Sequence, residues 1–353
     1  MATIKEIAQK AGVSIGTVDR VLHNRGMVSE KTKQKILDIV KELDYQPNQA
    51  AQGLAVMKKK LKIGFLMPEE TGHPFFAEIA RAAHDKAKEL EKYGVQVVFM
   101  KFGFSKEEMA VEWRELRESL VGMDGIAMPG IGSTGMREVA ARISSLDIPL
   151  VFYNLYIEEE KFLAYVGCDY MKSGRLAAGL CALAGGNDAR VVVYSEEYGI
   201  CQTNENILLE KSLTQNRMKG FEQEVKERYP KMKILDHRRL SHDQIDNYLS
   251  ACEMLKLYPD VNIVYVMNPG DYGICEAIYR ADEKHQVKII TNDAAGRQSD
   301  MMQRGIIAAT ICQEPEKQGA VPLEILFRYL AYGEKPEERM CYTDLSIHIA
   351  QNL

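Results

Sequence analysis

The chain lacks any uninterrupted apolar run that approaches the length needed to cross a bilayer, which excludes a helical integral membrane protein. It also lacks an early basic segment followed by a short apolar stretch and a small-residue cleavage site, so a cytoplasmic location is expected and export is not. Its seven cysteines, Cys168, Cys181, Cys201, Cys252, Cys275, Cys312 and Cys341, are odd in number and show no C-x-x-C spacing. Neither a disulfide framework nor a zinc site is indicated, and no metal or cofactor is expected. No G-x-S-x-G, H-E-x-x-H or P-loop occurs, which removes the usual hydrolase and nucleotide-hydrolase signatures. No leucine heptads follow the last predicted strand, Asp344–His348, so a coiled-coil tail is not expected.

What is present is unevenly charged. Residues 1–62 carry 12 Lys and Arg against 6 Asp and Glu, leaving 33 against 44 for the remainder of the chain totals of 45 and 50. A basic end on an acidic body is the electrostatic footprint of phosphate contact, because neutralised phosphates release counterions. The net charge of −5 conceals it. Lys31, Lys33, Lys35 and Lys41 alone fit a solvated helix face equally well.

The local chemistry of that basic end predicts helices. Thr3 stands three residues before Glu6, the spacing of a reciprocal capping box, and Ile4, Ile7, Ala8 and Ala11 then recur on one helical face. Gly12 supplies a turn. Ser14 caps a second helix, Ile15–His23, with Val18, Val21 and Leu22 inward and Ile15, Gly16, Asp19 and Arg20 outward. Ser29 caps a third helix from Glu30 to about Leu43, whose Ile36, Leu37, Val40 and Leu43 face the other two. Tyr45-Gln46-Pro47-Asn48 sets an extended exit, and the short apolar segment after it should order only when docked.

These residues, with Thr17, Arg20-Val21-Leu22, Val28-Ser29, Thr32 and the run from Tyr45 through Leu54-Ala55, make the chain resemble the lactose-repressor (LacI/GalR) family of bacterial transcription regulators. The resemblance implies major-groove readout by Ile15, Gly16 and Arg20, further DNA contacts from Thr3, Ser14, Thr17, Ser29, Thr32, Asn48 and Ala51, and a minor-groove wedge at Leu54 that kinks the duplex. It implies a homodimer on a palindromic double-stranded DNA operator. The chain departs from the family at Ile15-Gly16, which donate almost no side-chain hydrogen bonds, and at Asp19, where serine is commoner. Asp19 is read either as orienting Arg20 or as accepting from a cytosine amino group.

Residues 61–353 alternate strands with helices. Strands are expected at Lys62–Met67, Val95–Lys101, Gly125–Pro129 and Pro149–Asn154, and again at Arg190–Ser195, Met232–Arg239, Asn262–Asn268, Val287–Asp293 and Ala308–Gln313. Such alternation is the grammar of doubly wound parallel sheets. The expected architecture is an all-α helix-turn-helix head (1–46), a hinge helix and linker (47–60), and an α/β sensor (61–353) of two parallel-sheet lobes. Ligands of such sheets bind beyond the carboxyl ends of the strands, and those ends are rich in aromatic, amide and charged residues that suit a polyhydroxylated ring.

The same ends are similar to the ribose-binding branch of type I periplasmic binding proteins. That resemblance implies a carbohydrate effector contacted by His73, Phe75, Phe76, Asn154, Arg217, Asn268, Asp293 and Gln313. It also implies crossings between lobes near Val166–Gly167, Gln313–Pro315 and Cys341–Tyr342, dividing the sensor into 61–166 with 315–341 and 167–313 with 342–353. Asn154, Leu155 and His73 differ from the commoner family residues, so the pocket is rebuilt, and one cation beside one acid suits a sugar acid or a neutral polyol. Phe75 and Phe76 also fit a helix-start core, His73 a loop end, and Arg217 and Asp293 each a ligand contact or a partner in an interlobe salt bridge. The rival expectation, a nucleotide-dependent enzyme, rests on Gly130-Ile131-Gly132-Ser133-Thr134-Gly135. That G-x-G-x-x-G follows a third strand, with Tyr153-Asn154-Leu155 where an acid should hold the ribose. The expected function is a transcriptional regulator, a repressor, with activator and corepressor-dependent behaviour as the alternatives.

Overall fold

A computed structural model describes residues 3–22, 28–43, 57, 59–69, 74–102, 109–130, 134–195, 207–241, 243–267, 272–282, 286–294 and 297–353. The head consists of α1 (Ile4–Ala11), α2 (Ile15–Leu22) and α3 (Glu30–Glu42). Thr3 and Glu6 close the reciprocal cap, with Oγ1 of Thr3 accepting from the Glu6 N–H at 3.3 Å and the Thr3 N–H donating to Glu6 Oε2 at 2.8 Å. Gly12 has φ +69°, the left-handed conformation that ends α1 and starts the turn. Ile7, Ala8, Ala11, Val18, Val21, Ile36 and Ile39 form the core. Ile39 replaces the expected central roles of Leu37, Val40 and Leu43, which pack at the rim.

The first lobe is built on a sheet of β1 (Lys62–Pro68), β2 (Gln96–Phe102), β3 (Gly125–Pro129), β4 (Leu150–Tyr153), β5 (Ala164–Gly167) and β11 (Met340–Tyr342). Its order is β11-β5-β4-β3-β1-β2, parallel throughout. Helices α4 (Pro74–Glu91) and α12 (Pro315–Tyr332) belong to this lobe, with Ile79, Ala83, Leu323 and Leu326 packed against Ile63, Phe65 and Val151. On the other sheet face, α5 (Met109–Ser119) and α6 (Thr134–Ser145) place Leu116, Val139 and Ile143 with Leu66, Ile126 and Phe152. Six of the seven residues of β1 are buried, as a strand covered on both faces requires.

The second lobe repeats the plan with β6 (Arg190–Ser195), β7 (Lys233–Arg239), β8 (Ile263–Val266), β9 (Lys288–Asn292), β10 (Ile307–Cys312) and β12 (Ser346–His348), in the order β12-β10-β9-β8-β6-β7. Here β12 runs antiparallel to β10, so this sheet is mixed at one edge rather than wholly parallel. Helices α7 (Tyr170–Gly185) and α8 (Ile207–Arg228) pack on one face. On the other lie α9 (Gln244–Leu257), α10 (Tyr272–Ala281) and α11 (Arg297–Gln303). The chain passes between sheets after β5, after β10 and after β11. Two of these passages are tied together, since the Thr343 N–H donates to the Gly167 carbonyl at 2.9 Å. The third joins them where the Asp344 N–H meets Glu314 Oε2 at 2.8 Å.

Candidate functional site

Both sheets direct their carboxyl ends toward one buried polar cluster. Asn154 follows β4, Asp293 follows β9 and Gln313 follows β10, and each is at most 6% exposed. Asn154 and Asp293 have φ of +61° and +62°. Asn and Asp tolerate this left-handed conformation better than other side-chain-bearing residues, and such strain of about 1 kcal/mol each persists where surrounding structure imposes it. Here the imposition is visible: the Asn154 N–H donates to the Val166 carbonyl at 3.0 Å, and the Asp293 N–H to the Ile311 carbonyl at 2.8 Å. The strain turns both side chains off the strand ends.

Helices complete the cluster. Asn154 Nδ2 donates to the Tyr170 hydroxyl at 3.2 Å and to Gln318 Oε1 at 3.4 Å, while the Tyr170 hydroxyl donates to the Asn154 carbonyl at 3.1 Å. Gln318 Nε2 in turn donates to the Gln313 carbonyl at 2.9 Å. Arg217, on α8, is 2% exposed. Its Nε donates to Ser173 Oγ at 3.2 Å and its Nη1 to the Met267 carbonyl at 2.8 Å, and the guanidinium lies 5.2 Å from the centre of the Tyr170 ring. No carboxylate pairs with Arg217 among the described residues, so the alternative of an interlobe salt bridge from Arg217 is not formed there.

Asp293 is correspondingly uncomfortable. Gln313 Nε2 donates to its Oδ2 at 3.1 Å, while its Oδ1 has no partner. Burial pushes the carboxyl up to about 6, against the opposing pull of Arg217 and of the Gln313 hydrogen bond. Oε1 of Gln313 is also buried without a partner. Six buried side-chain atoms are unsatisfied among the described residues, and these two belong to residues that are hydrogen-bonded to each other and that the sequence singled out. A buried acceptor left unpaired costs about 1–3 kcal/mol.

The structure brings Asn154, Arg217, Asp293 and Gln313 together and buries Phe75 in the first-lobe core. Phe75 joins the first-lobe core with Ile79 and Leu323, and Phe76 packs at the edge of that core with its ring 5.5 Å from that of Phe75. His73 and Asn268 lie outside the described residues. Tyr170, Ser173 and Gln318 were missed, because residues in the first turns of helices carry no spacing signal of their own. The only hint was position, since each follows closely on a passage between lobes.

Gly130 explains why the G-x-G-x-x-G does not read as a phosphate cradle. A Cβ there would stand 2.2 Å from the Tyr156 backbone, and the Gly130 N–H donates to the Leu155 carbonyl at 2.7 Å. The glycine lets two backbones touch at the end of β3; residues 131–133 lie outside the described set. Cys168, beside the cluster, is pushed up to about 12 by burial and stays a thiol.

In the head, Ser14 Oγ accepts from the Thr17 N–H at 3.1 Å, and Ser29 Oγ from the Thr32 N–H at 3.3 Å. Each pair of hydroxyls is also bonded, at 2.9 and 2.8 Å. Ile15 is 53% exposed, and Gly16 and Arg20 are exposed beside it. Arg20 Nε donates to the Gly16 carbonyl at 3.1 Å, which orients the guanidinium along its own helix. Asn48, Ala51 and Leu54 lie outside the described residues.

Residues 3–48 match the family model of bacterial regulatory proteins of the lacI family, and residues 63–335 match that of the periplasmic binding protein domain. The chain belongs, over most of its length, to the periplasmic-binding-protein family and carries a lacI-family helix-turn-helix head. It is 38% identical over 152 residues to the HTH-type transcriptional regulator RegA of Clostridium saccharobutylicum, covering 43% of each chain. It is 40% identical over 117 residues to the ribose operon repressor of Bacillus subtilis, covering 33% of each. These alignments span less than half of either relative. Among solved structures it resembles GanP, a glucose-galactose binding protein from Geobacillus stearothermophilus, with a TM-score of 0.68 at 24% identity over 83% of this chain and 99% of that one. A putative LacI transcriptional regulator from Bacteroides fragilis gives 0.71 at 18% identity over 83% and 98%. The matched relatives are transcriptional regulators rather than enzymes. Among the described residues, no helix is long and apolar enough to cross a membrane.

Proposed function

We propose that the protein is a cytoplasmic, sequence-specific transcriptional repressor that binds a palindromic operator as a homodimer and is controlled by a sugar or sugar derivative held between its lobes. The orphan acceptors Asp293 Oδ1 and Gln313 Oε1, on two residues hydrogen-bonded to each other, carry the ligand half of this reading. Hydroxyl groups are the donors that satisfy both without adding charge. Arg217, which has no carboxylate partner among the described residues, offers a guanidinium to a ring oxygen, a hydroxyl or a sugar carboxylate. Ribose in the name of one relative and glucose-galactose in another make pentoses and hexoses the first candidates to test.

Control follows from differential binding. A ligand that contacts Asn154 in the first lobe and Arg217 and Asp293 in the second favours one lobe arrangement, and changes operator affinity by its preference for that arrangement. Operator readout rests on Arg20, with Ile15 against thymine methyls, on capped helix starts near phosphate, and on Leu54 as the wedge. Arg217→Ala is expected to weaken sugar binding by roughly tenfold or more, the cost of losing charge-assisted bonds in a buried site, as titration calorimetry would record. Leu54→Ala is expected to weaken operator binding by about tenfold, through loss of the wedge. Unchanged operator affinity in that variant rules out the wedge. Native mass spectrometry of the purified protein identifies a co-purified effector directly. Release of the operator on adding that effector marks an inducer, and tighter binding a corepressor.

A further inference from the structure

The link between linker and sensor is built on the end of α12. The last turn of this helix is closed by Gly333, at φ +74°, and the amides that follow satisfy the Arg328 and Tyr329 carbonyls. The Leu330 and Ala331 carbonyls are taken instead by a residue far away in sequence: Lys59 Nζ donates to both, at 3.0 Å each. An ammonium on the last carbonyls of an 18-residue helix meets the negative end of its dipole and satisfies two acceptors at once.

Two further observations concern the described residues on either side of Lys59. Gly94, at φ +74° in the turn between α4 and β2, faces Met57, so that a Cβ on it would stand 3.1 Å from Met57 Cα and 3.3 Å from its carbonyl oxygen. Lys60 has φ +48°, an uncommon conformation for a lysine, between Lys59 on the helix end and the buried Leu61 that enters β1. A strained residue in an exposed connection persists only where its neighbours hold it.

The other end of α12 lies in the ligand cleft. Its first turns carry Gln318, bonded to Asn154 and to Gln313, and Gly319 lets it lie against the Ile79 carbonyl of α4. One helix of about 27 Å therefore reaches from the cleft to the linker as a fixed strut of the first lobe.

We propose that Lys59 is the positioning residue that anchors the linker to this strut, so that the segment leading to the head follows the first lobe as the lobes rearrange. The proposal rests on the protein being a ligand-controlled DNA-binding regulator. It assigns the control to one contact, in which lysine and arginine are interchangeable and alanine is not, because only a cationic donor suits the helix end.

The test uses the full chain with Lys59→Ala and Lys59→Arg. Hydrogen exchange read by mass spectrometry should show about tenfold faster exchange across residues 57–61 in Lys59→Ala, no change in α4 or β1 beyond Leu61, and protection kept in Lys59→Arg. In parallel, a duplex selected from random DNA by the wild-type protein should bind Lys59→Ala with affinity altered about tenfold and Lys59→Arg within about threefold of wild type. If Lys59→Ala exchanges like wild type, there is no anchor and the proposal fails. If exchange rises but duplex affinity is unchanged, the contact is structural only and the positioning role fails. If the wild type selects no duplex, it is the regulator reading that fails, and the exchange arm still decides the anchor.

Discussion

Replacing Gly174 by alanine is expected to destabilise the protein by roughly 3 kcal/mol and to displace Arg217, making the second lobe's helix pair the most sensitive packing contact in the site. The added Cβ would lie 1.8 Å from the Arg217 carbonyl oxygen and 2.8 Å from the Phe221 nitrogen. Gly220 faces Met171 in the same way, at 2.0 Å from its carbonyl oxygen. Both obstacles are backbone, so no rotamer change relieves them and the helices must move apart. Arg217 stands on that contact, and separation draws its guanidinium away from Ser173 and Met267. Gly179→Ala on the same helix is the control: its nearest atom is the Tyr229 hydroxyl at 3.8 Å, and it should gain about 0.5–1 kcal/mol from helix propensity. Denaturant melts of both variants measure the contrast. Equal stability for the two would show that the close approach is not a constraint.

Asp293→Asn is expected to do the opposite to stability while removing ligand response. The carboxyl is raised to about 6 in the folded protein, chiefly by burial, against roughly 4 in an unfolded chain. A raised acid means that the folded state binds more protons than the unfolded state between these values, so its contribution destabilises increasingly as pH climbs from about 4 to about 6, and fully above that. Asparagine keeps the shape and an acceptor for Gln313 and carries no charge to desolvate. The variant should therefore be more stable than wild type by about 2–3 kcal/mol near pH 8, with the advantage vanishing near pH 4. Ligand affinity should fall, because the charged acceptor is lost and an amide N–H now faces the hydroxyls. Thermal melts across this range, paired with sugar titration, check both halves. A stability gain independent of pH would mean that Asp293 is not the titrating group.

The two variants separate what was legible from what was not. Asp293 could be picked out because it ends Val287–Asp293, a stretch with β-branched Val287, Ile289, Ile290 and Thr291 that reads as a strand, and strand ends are where open sheets bind. Gly174 could not, because a glycine in a helical stretch has no local signature of the backbone it will meet across the lobe. Phe75 shows the same limit in another form. Its type and place fitted both a stacking contact and a core position, and only the packing against Ile79 and Leu323 put it in the core. The strands β5 and β11, of four and three residues, were not anticipated as strands. Their pairing with each other supplies what their sequences lack.

By itself, the sequence determined the three-helix head, through cap residues and apolar spacing that act within one turn. It also determined the two-lobed alternation of strands and helices, and four of the polar residues that meet in the cleft. Those are consequences of local geometry, where neighbours in sequence are neighbours in space. Tertiary structure alone decided that Arg217 stands buried without a carboxylate partner among the described residues, that Asp293 and Gln313 each keep an unpaired oxygen, and that Lys59 reaches the end of a helix more than 270 residues away. Burial and pairing depend on which distant atoms fill the space around a group, and that is settled only when the lobes have closed on their cores.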